Sequence, residues 1–203
     1  MPNNQGPART PLLPSANFGQ RTIPVTRQSQ RLWFRIHPTG SPALHFRCLP
    51  HHRFSHPKCP FPLLYLGATL QTCLWEVFGD DVFLGKRAIS SARWNGCSIS
   101  QIQVPAVNVC STTLERTRDA MTVDKASLMA ADLSIPQAWS LAIQKHPLGF
   151  EGIKCSSRFL NQSCLALFER GQLPSRFHVA HLGTLNDLDS AVDWLEEREA
   201  ALV

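Results

Sequence analysis

No aspartate or glutamate precedes Glu76 in this chain of 203 residues, although eight of its 20 lysines and arginines do. They are Arg9, Arg21, Arg27, Arg31, Arg35, Arg47, Arg53 and Lys58, so the formal charge of +5 is concentrated in the first third. Such segregation points to contact with phosphate, nucleic acid or an acidic partner, whereas a solvated basic tail accounts for Arg9, Arg21 and Arg27 equally well. Tyrosine is nearly missing too, Tyr65 being the only one. No apolar run is long enough to span a bilayer, and "MPNNQGPARTPLLPSANFGQ" has no apolar core followed by a small-residue cleavage site. The seven cysteines are odd in number, lack a framework spacing and contain no CxxC, which reads as reduced thiols in the cytoplasm. No Rossmann glycine fingerprint and no Walker loop occur, and Ser157 lacks a G-x-S-x-G elbow. These absences exclude dinucleotide binding as in a dehydrogenase, an NTPase site and an α/β-hydrolase.

The composition is that of a globular domain, with 43% hydrophobic and 17% charged residues. Residues 1–30, rich in Pro, Asn, Gln, Ser and Thr, read as a flexible basic leader, and residues 31–203 as the folded domain. In "RLWFRIHP", Leu32, Phe34 and Ile36 alternate with Trp33 and Arg35 as in a half-buried strand. "FPLLYLGA" is apolar almost throughout and predicts a central strand. Thr69 is placed to cap a helix from about Leu70 to Phe78, with Leu70, Cys73, Leu74, Val77 and Phe78 on its apolar face and Glu76 at the edge of that face. "SISQIQVPAVNVCS" predicts one or two strands, and Pro136 opens a helix continuing through "QAWSLAIQ". "GFEGIKCSSRF" and "SCLALFERG" read as strands around a turn, and "DLDSAVDWLEEREAAL" as a C-terminal amphipathic helix with Leu188, Val192 and Leu195 inward. Strands and helices mix without a βαβ repeat, which predicts an α+β fold.

The densest group of metal-ligating residue types is "CLPHHRFSHPKC", with Cys48, His51, His52, His56 and Cys59. Thiolates and imidazoles at such spacings suit zinc, but paired knuckle ligands are missing and a loop of hydrogen-bonding histidines explains the same residues. The basic, aromatic first third, with Trp33, Phe34, Phe46 and Phe54, supports a nucleic-acid-binding module as a rival reading.

The order "RFSHP…LLYLGATLQTCLWEVF", followed by "IPQAWSLAIQ" and "GIKCSSRFLNQSCLALF", with "LWFRIHP" as an opening strand, resembles the RES domain, the toxin of RES–Xre toxin–antitoxin pairs. The resemblance covers roughly residues 31–185. It implies an ADP-ribosyltransferase-like mixed sheet with flanking helices, and an enzyme that binds NAD+ as substrate and cleaves its nicotinamide–ribose bond. Water or phosphate would accept the ADP-ribose, making it a glycohydrolase or a phosphorylase. By motif, Arg53, Glu76 and Ser157 are the catalytic residues, and Arg35, Tyr65, Ser156 and Arg158 bind substrate. Two departures stand out: the family's tyrosine before the serine is Cys155 here, and Ser156 lies beside Ser157. The implied partner is an Xre-like antitoxin protein, with a homodimer left open, and neither membrane nor direct nucleic-acid contact is implied.

Residue chemistry agrees with that implication. Arginine's planar fork matches pyrophosphate oxygens. Departure of nicotinamide leaves an oxocarbenium-like ribose, which a single nearby carboxylate stabilises. Several carboxylates would repel the pyrophosphate, which gives the isolation of Glu76 a rationale. A tyrosine offers a stacking face with a hydroxyl to orient the substrate.

Overall fold

The computed structural model describes residues 12–83, 87–171 and 173–203. In chain order the elements are β1 Val25–Gln28, β2 Arg31–Pro38, β3 Leu63–Gly67, α1 Leu70–Phe83, β4 Ala88–Ile89, α2 Ser91–Asn95, β5 Cys97–Val104 and β6 Val107–Ser111. There follow α3 Glu115–Met121, α4 Lys125–Met129, α5 Ser134–Lys145, β7 Gly152–Ser156, β8 Ser163–Phe168, β9 His178–Thr184, α6 Asp189–Glu196 and β10 Ala201–Leu202. Eight strands form one mixed sheet in the order β1-β6-β7-β8-β3-β2-β5-β9, and β10 pairs with β4 in a separate ribbon. Within the large sheet only β6 and β7 run parallel. This is the α+β mixed sheet with flanking helices that the sequence predicts.

The middle of the sheet is covered on both faces. Leu63 of β3 and Ala166 and Phe168 of β8 join Trp139 and Ile143 of α5 in one core cluster. Leu64 and Leu66, together with Leu165 and Leu167, point the other way, into a cluster with Trp33 and Ile102. Double coverage explains why both strands read as nearly unbroken apolar runs. Each fully buried Leu or Ile here contributes about 1.5–3 kcal/mol. A third cluster packs Leu74 and Phe78 of α1 against Trp94, Ile99 and Trp194, so α1 is anchored along one side and leaves its other side free to carry a site.

Several expectations change in detail. β2 buries Trp33, Arg35 and His37, while Leu32 is 48% exposed. Loop 39–47, pinned by Arg35, supplies the cover on the Arg35 side. α1 runs to Phe83, past the expected Phe78, because Gly79 keeps a helical backbone and does not take the left-handed conformation that would end the helix. α6 buries Ala191, Trp194 and Leu195, with Leu188 and Val192 only half-buried. The leader expected over residues 1–30 is ordered in its second part: Phe18 and Ile23 are buried, and β1 pairs with β6. Four residues are too short to announce a strand by periodicity, and the free edge of β6 creates it. Residues 1–11, including Arg9, lie outside the described residues.

Candidate active site

Glu76 stands on the outer side of α1, and Ser157 follows directly on β7. The Ser157 hydroxyl donates to Glu76 Oε1 at 2.5 Å, and the Arg158 backbone N–H donates to the same oxygen at 3.0 Å. The Ser157 oxygen in turn accepts from the N–H groups of Phe159 and Leu160, both at 3.2 Å. One serine therefore closes the turn after β7 and donates its hydroxyl hydrogen bond to a carboxylate on a helix. The Arg158 guanidinium pairs with Asp80, one helical turn beyond Glu76, and lies over the Phe159 ring with its Cζ 4.3 Å from the centroid.

This turn sits flat on the helix because of Gly79. A β-carbon there would lie 2.6 Å from the Phe159 ring, so only glycine admits the ring at that depth. Phe159 also completes a triangle of rings, with centroids 5.6 Å from Trp75 and 5.5 Å from Phe83, which are themselves 5.3 Å apart.

Arg53 comes from the loop between β2 and β3. Its Nη1 donates to the carbonyls of Leu128 and Ala130 at 3.0 and 3.2 Å. Burial lowers its pKa; Cys155, Glu76 and Tyr65 work against that shift and Arg158 with it, so these groups share one electrostatic neighbourhood. Tyr65 holds the loop in place. Its hydroxyl accepts from the Phe54 N–H at 3.1 Å and lies 3.1 Å from Ser55 Oγ, while His52 packs edge-on against its ring at 5.1 Å. Burial pushes the Tyr65 phenol well above its ordinary pKa, so it remains protonated. The loop is also closed by a disulfide between Cys48 and Cys59, whose Cα atoms are 5.5 Å apart. That bond corrects the expectation of reduced thiols throughout and removes both sulfurs from the zinc reading. Among the described residues no cluster of three or more His, Cys, Asp or Glu is arranged to hold a metal ion.

Six of the seven residues singled out in the sequence fall in or beside this neighbourhood, but their situations differ. Arg53, Tyr65, Glu76, Ser157 and Arg158 are gathered as described. Ser157, and not Ser156, reaches Glu76; Ser156 is half-buried, facing away from Cys155 and Ser157 as strand alternation requires. Cys155 is buried and directly opposite Cys164 on β8. Arg35 stands apart in function: it is buried on β2 and donates to the carbonyls of Ala43 at 2.5 Å and His45 at 2.8 Å. Burial, then repulsion from Arg47, lowers its pKa to about 10. Trp33, Phe46 and Phe54 are buried, so they offer no stacking platform for bases.

The sequence reading missed Asp80, Gly79 and Gln162. Asp80 had a signal, since it stands at i+4 from Glu76 on α1; Gln162 had none. Of two surface concavities, one of about 510 Å³ borders this turn and is walled by Trp75, Phe83 and Arg198, and one of about 540 Å³ is walled by Leu12, Arg118 and Lys125. Among the described residues no helix is long and apolar enough to cross a membrane.

A family model described as the RES domain matches residues 32–187. No curated protein matches the chain. Among solved structures, the crystal structure of the M. tuberculosis MbcT-MbcA toxin-antitoxin complex contains a chain similar to this one, with a TM-score of 0.63 and 17% identity, over 92% of this chain and 99% of that one. At that identity the likeness is one of fold, and it agrees with the α+β mixed sheet with flanking helices expected from the sequence.

Proposed function

This chain belongs to the RES domain family, and from that premise we propose that it is an NAD+-degrading toxin, an enzyme that cleaves the nicotinamide–ribose bond. The observation that carries the reading is the Ser157–Glu76 contact beside Arg53. Oε1 of Glu76 is taken up by the Ser157 hydroxyl and the Arg158 N–H, which fixes the carboxylate and leaves Oε2 to face the ribose. As the glycosidic bond lengthens, its electron pair leaves with nicotinamide and C1′ becomes cationic. The fixed carboxylate stabilises that charge without reorganising. Water or inorganic phosphate then bonds to C1′; with water, a proton is released to solvent. In this reading the guanidinium groups of Arg53 and Arg158 bind the pyrophosphate, whose oxygens match arginine's planar fork. Tyr65 supports them by fixing the Phe54 N–H next to Arg53. Arg35 acts at a remove, by holding loop 39–47 through the carbonyls of Ala43 and His45. The similar solved structure is by its title a toxin-antitoxin complex, which supports an antitoxin protein as the partner; that it is of the Xre-like kind rests on the family resemblance alone.

The test is nicotinamide release from NAD+ by the purified, antitoxin-free chain, with and without phosphate. Release that rises with phosphate marks a phosphorylase, and release indifferent to it a glycohydrolase. Intact NAD+ under both conditions refutes the reading.

A further inference from the structure

The site joins α1 to the turn after β7 through Glu76, which the Ser157 hydroxyl and the Arg158 N–H reach, and through Asp80, which pairs with the exposed Arg158 guanidinium; a further, more buried contact lies at the start of the helix. Gln162, at the far end of that turn, touches both. Its backbone oxygen accepts from the Ser157 N–H at 2.8 Å, closing the turn across its mouth. Its side-chain Oε1 accepts from the hydroxyl of Thr69 at 2.7 Å and from that of Thr72. Thr69 is the residue before α1, and its hydroxyl accepts the Thr72 N–H at 3.1 Å, capping the helix. The two threonine oxygens lie 2.9 Å apart, and Thr72 is fully buried. Thr72 and Glu76 stand at i and i+4, one above the other on the same side of the helix.

We propose that Gln162 is a positioning residue for this site: it reads the cap of α1 with its side chain and the backbone of Ser157 with its carbonyl, and so sets the spacing between Ser157 and Glu76. The inference rests on the roles given above to those two residues. Phe159 against Gly79 fixes how closely the turn approaches the helix; Gln162 fixes its register along the helix. Glu76 lies between the two fixed points. A shift of the turn by a fraction of a helical turn would keep the ring packing and lose the aim of Ser157 and the Arg158 N–H at Oε1.

The test uses the full chain with three variants. Gln162→Met keeps length and removes the acceptor, Thr72→Val keeps shape and removes the donor, and Thr72→Ser restores the donor. For Gln162→Met and Thr72→Val, kcat for nicotinamide release should fall about a hundredfold, the usual effect of a small misplacement, with KM for NAD+ much less changed. Thr72→Ser should stay near the parent. The double variant should be no slower than Gln162→Met alone, since that change already removes the Thr72 contact together with the Thr69 one. A second readout does not depend on activity: exchange of the Arg158 amide hydrogen should quicken in Gln162→Met and Thr72→Val but not in Thr72→Ser, while amides of β3 stay protected. If the parent releases no nicotinamide, the functional reading fails and the amide measurement alone decides the positioning role. The proposal is overturned by an unchanged Arg158 amide in Gln162→Met, by equal effects of Thr72→Ser and Thr72→Val, or by additive losses in the double variant. A lowered melting temperature with kcat retained overturns it as well.

Discussion

Ser157 and Glu76 stand 81 positions apart in the chain, yet the serine hydroxyl is 2.5 Å from Oε1 of the glutamate. The serine oxygen also receives two backbone N–H groups, so its own proton is directed at the carboxylate. A glutamate held by donors on one oxygen keeps its orientation without burial, which suits a group that must face a transient cation.

Glu76→Gln keeps the shape of the side chain and removes the charge. If Glu76 stabilises the cationic ribose, turnover should drop about a hundred- to a thousandfold, the range for deleting one electrostatic stabiliser. NAD+ affinity, measured by calorimetry, should change far less, because Arg53 and Arg158 remain. Expression of this variant should not arrest growth. A Glu76→Gln protein as active as its parent would return the glutamate to the helix surface.

Gly79→Ala places a methyl group 2.6 Å from the Phe159 ring. Either the ring or the turn must move, at about 1–3 kcal/mol as for other overpacked sites. Denaturant titration should show that loss, and turnover should fall as well, because Phe159 and Ser157 share one turn. Unchanged stability and turnover would mean that the ring has room to swing away.

Reduction of the Cys48–Cys59 bond, or its removal as Cys48→Ser, opens a loop whose ends are 11 positions apart. Loop-closure entropy for a ring of this size is worth about 3 kcal/mol. The loss should appear as a lower melting temperature in the presence of a dithiol, and the loop carrying Arg53 should become accessible to proteases first. A melting temperature indifferent to the dithiol counts against the bond's contribution.

His52 makes stability depend on pH. Burial, reinforced by His51 and Arg35, lowers its pKa from 6.5 to about 4. Between these values the unfolded chain binds a proton that the folded chain refuses, so stability falls as pH drops from 6.5 towards 4 and levels off below. Urea titrations across this range should give a slope that His52→Phe reduces. An undiminished slope would assign it to other groups.

The central strand, the capped helix after it, and the hairpin strands were legible because each is encoded locally: apolar runs in β3 and β8, Thr69 before α1, and Pro136 in the first turn of α5. Strands β1 and β9 were not. β1 is four residues long and β9 is exposed along most of its length, so neither carries a periodic pattern; each exists because a neighbouring strand offers a free edge. The buried face of β2 was read the other way round, since sequence does not show that loop 39–47 folds back to cover Arg35 and Trp33.

For the site, sequence alone determined the residue types, their order, and the isolation of Glu76 from other early carboxylates, all of which are properties of the chain as a string. Tertiary structure decided the rest. It chose Ser157 over Ser156, because strand alternation turns only one of them towards α1. It committed the Arg35 Nη1 and Nη2 donors to carbonyls of loop 39–47, and it held Arg53 by the carbonyls of Leu128 and Ala130 within electrostatic reach of Glu76. It also recruited Gln162 and Gly79, which have meaning only once a hairpin lies on a helix. Hydrogen bonds and close ring contacts act over a few ångströms in space, whatever the distance along the chain.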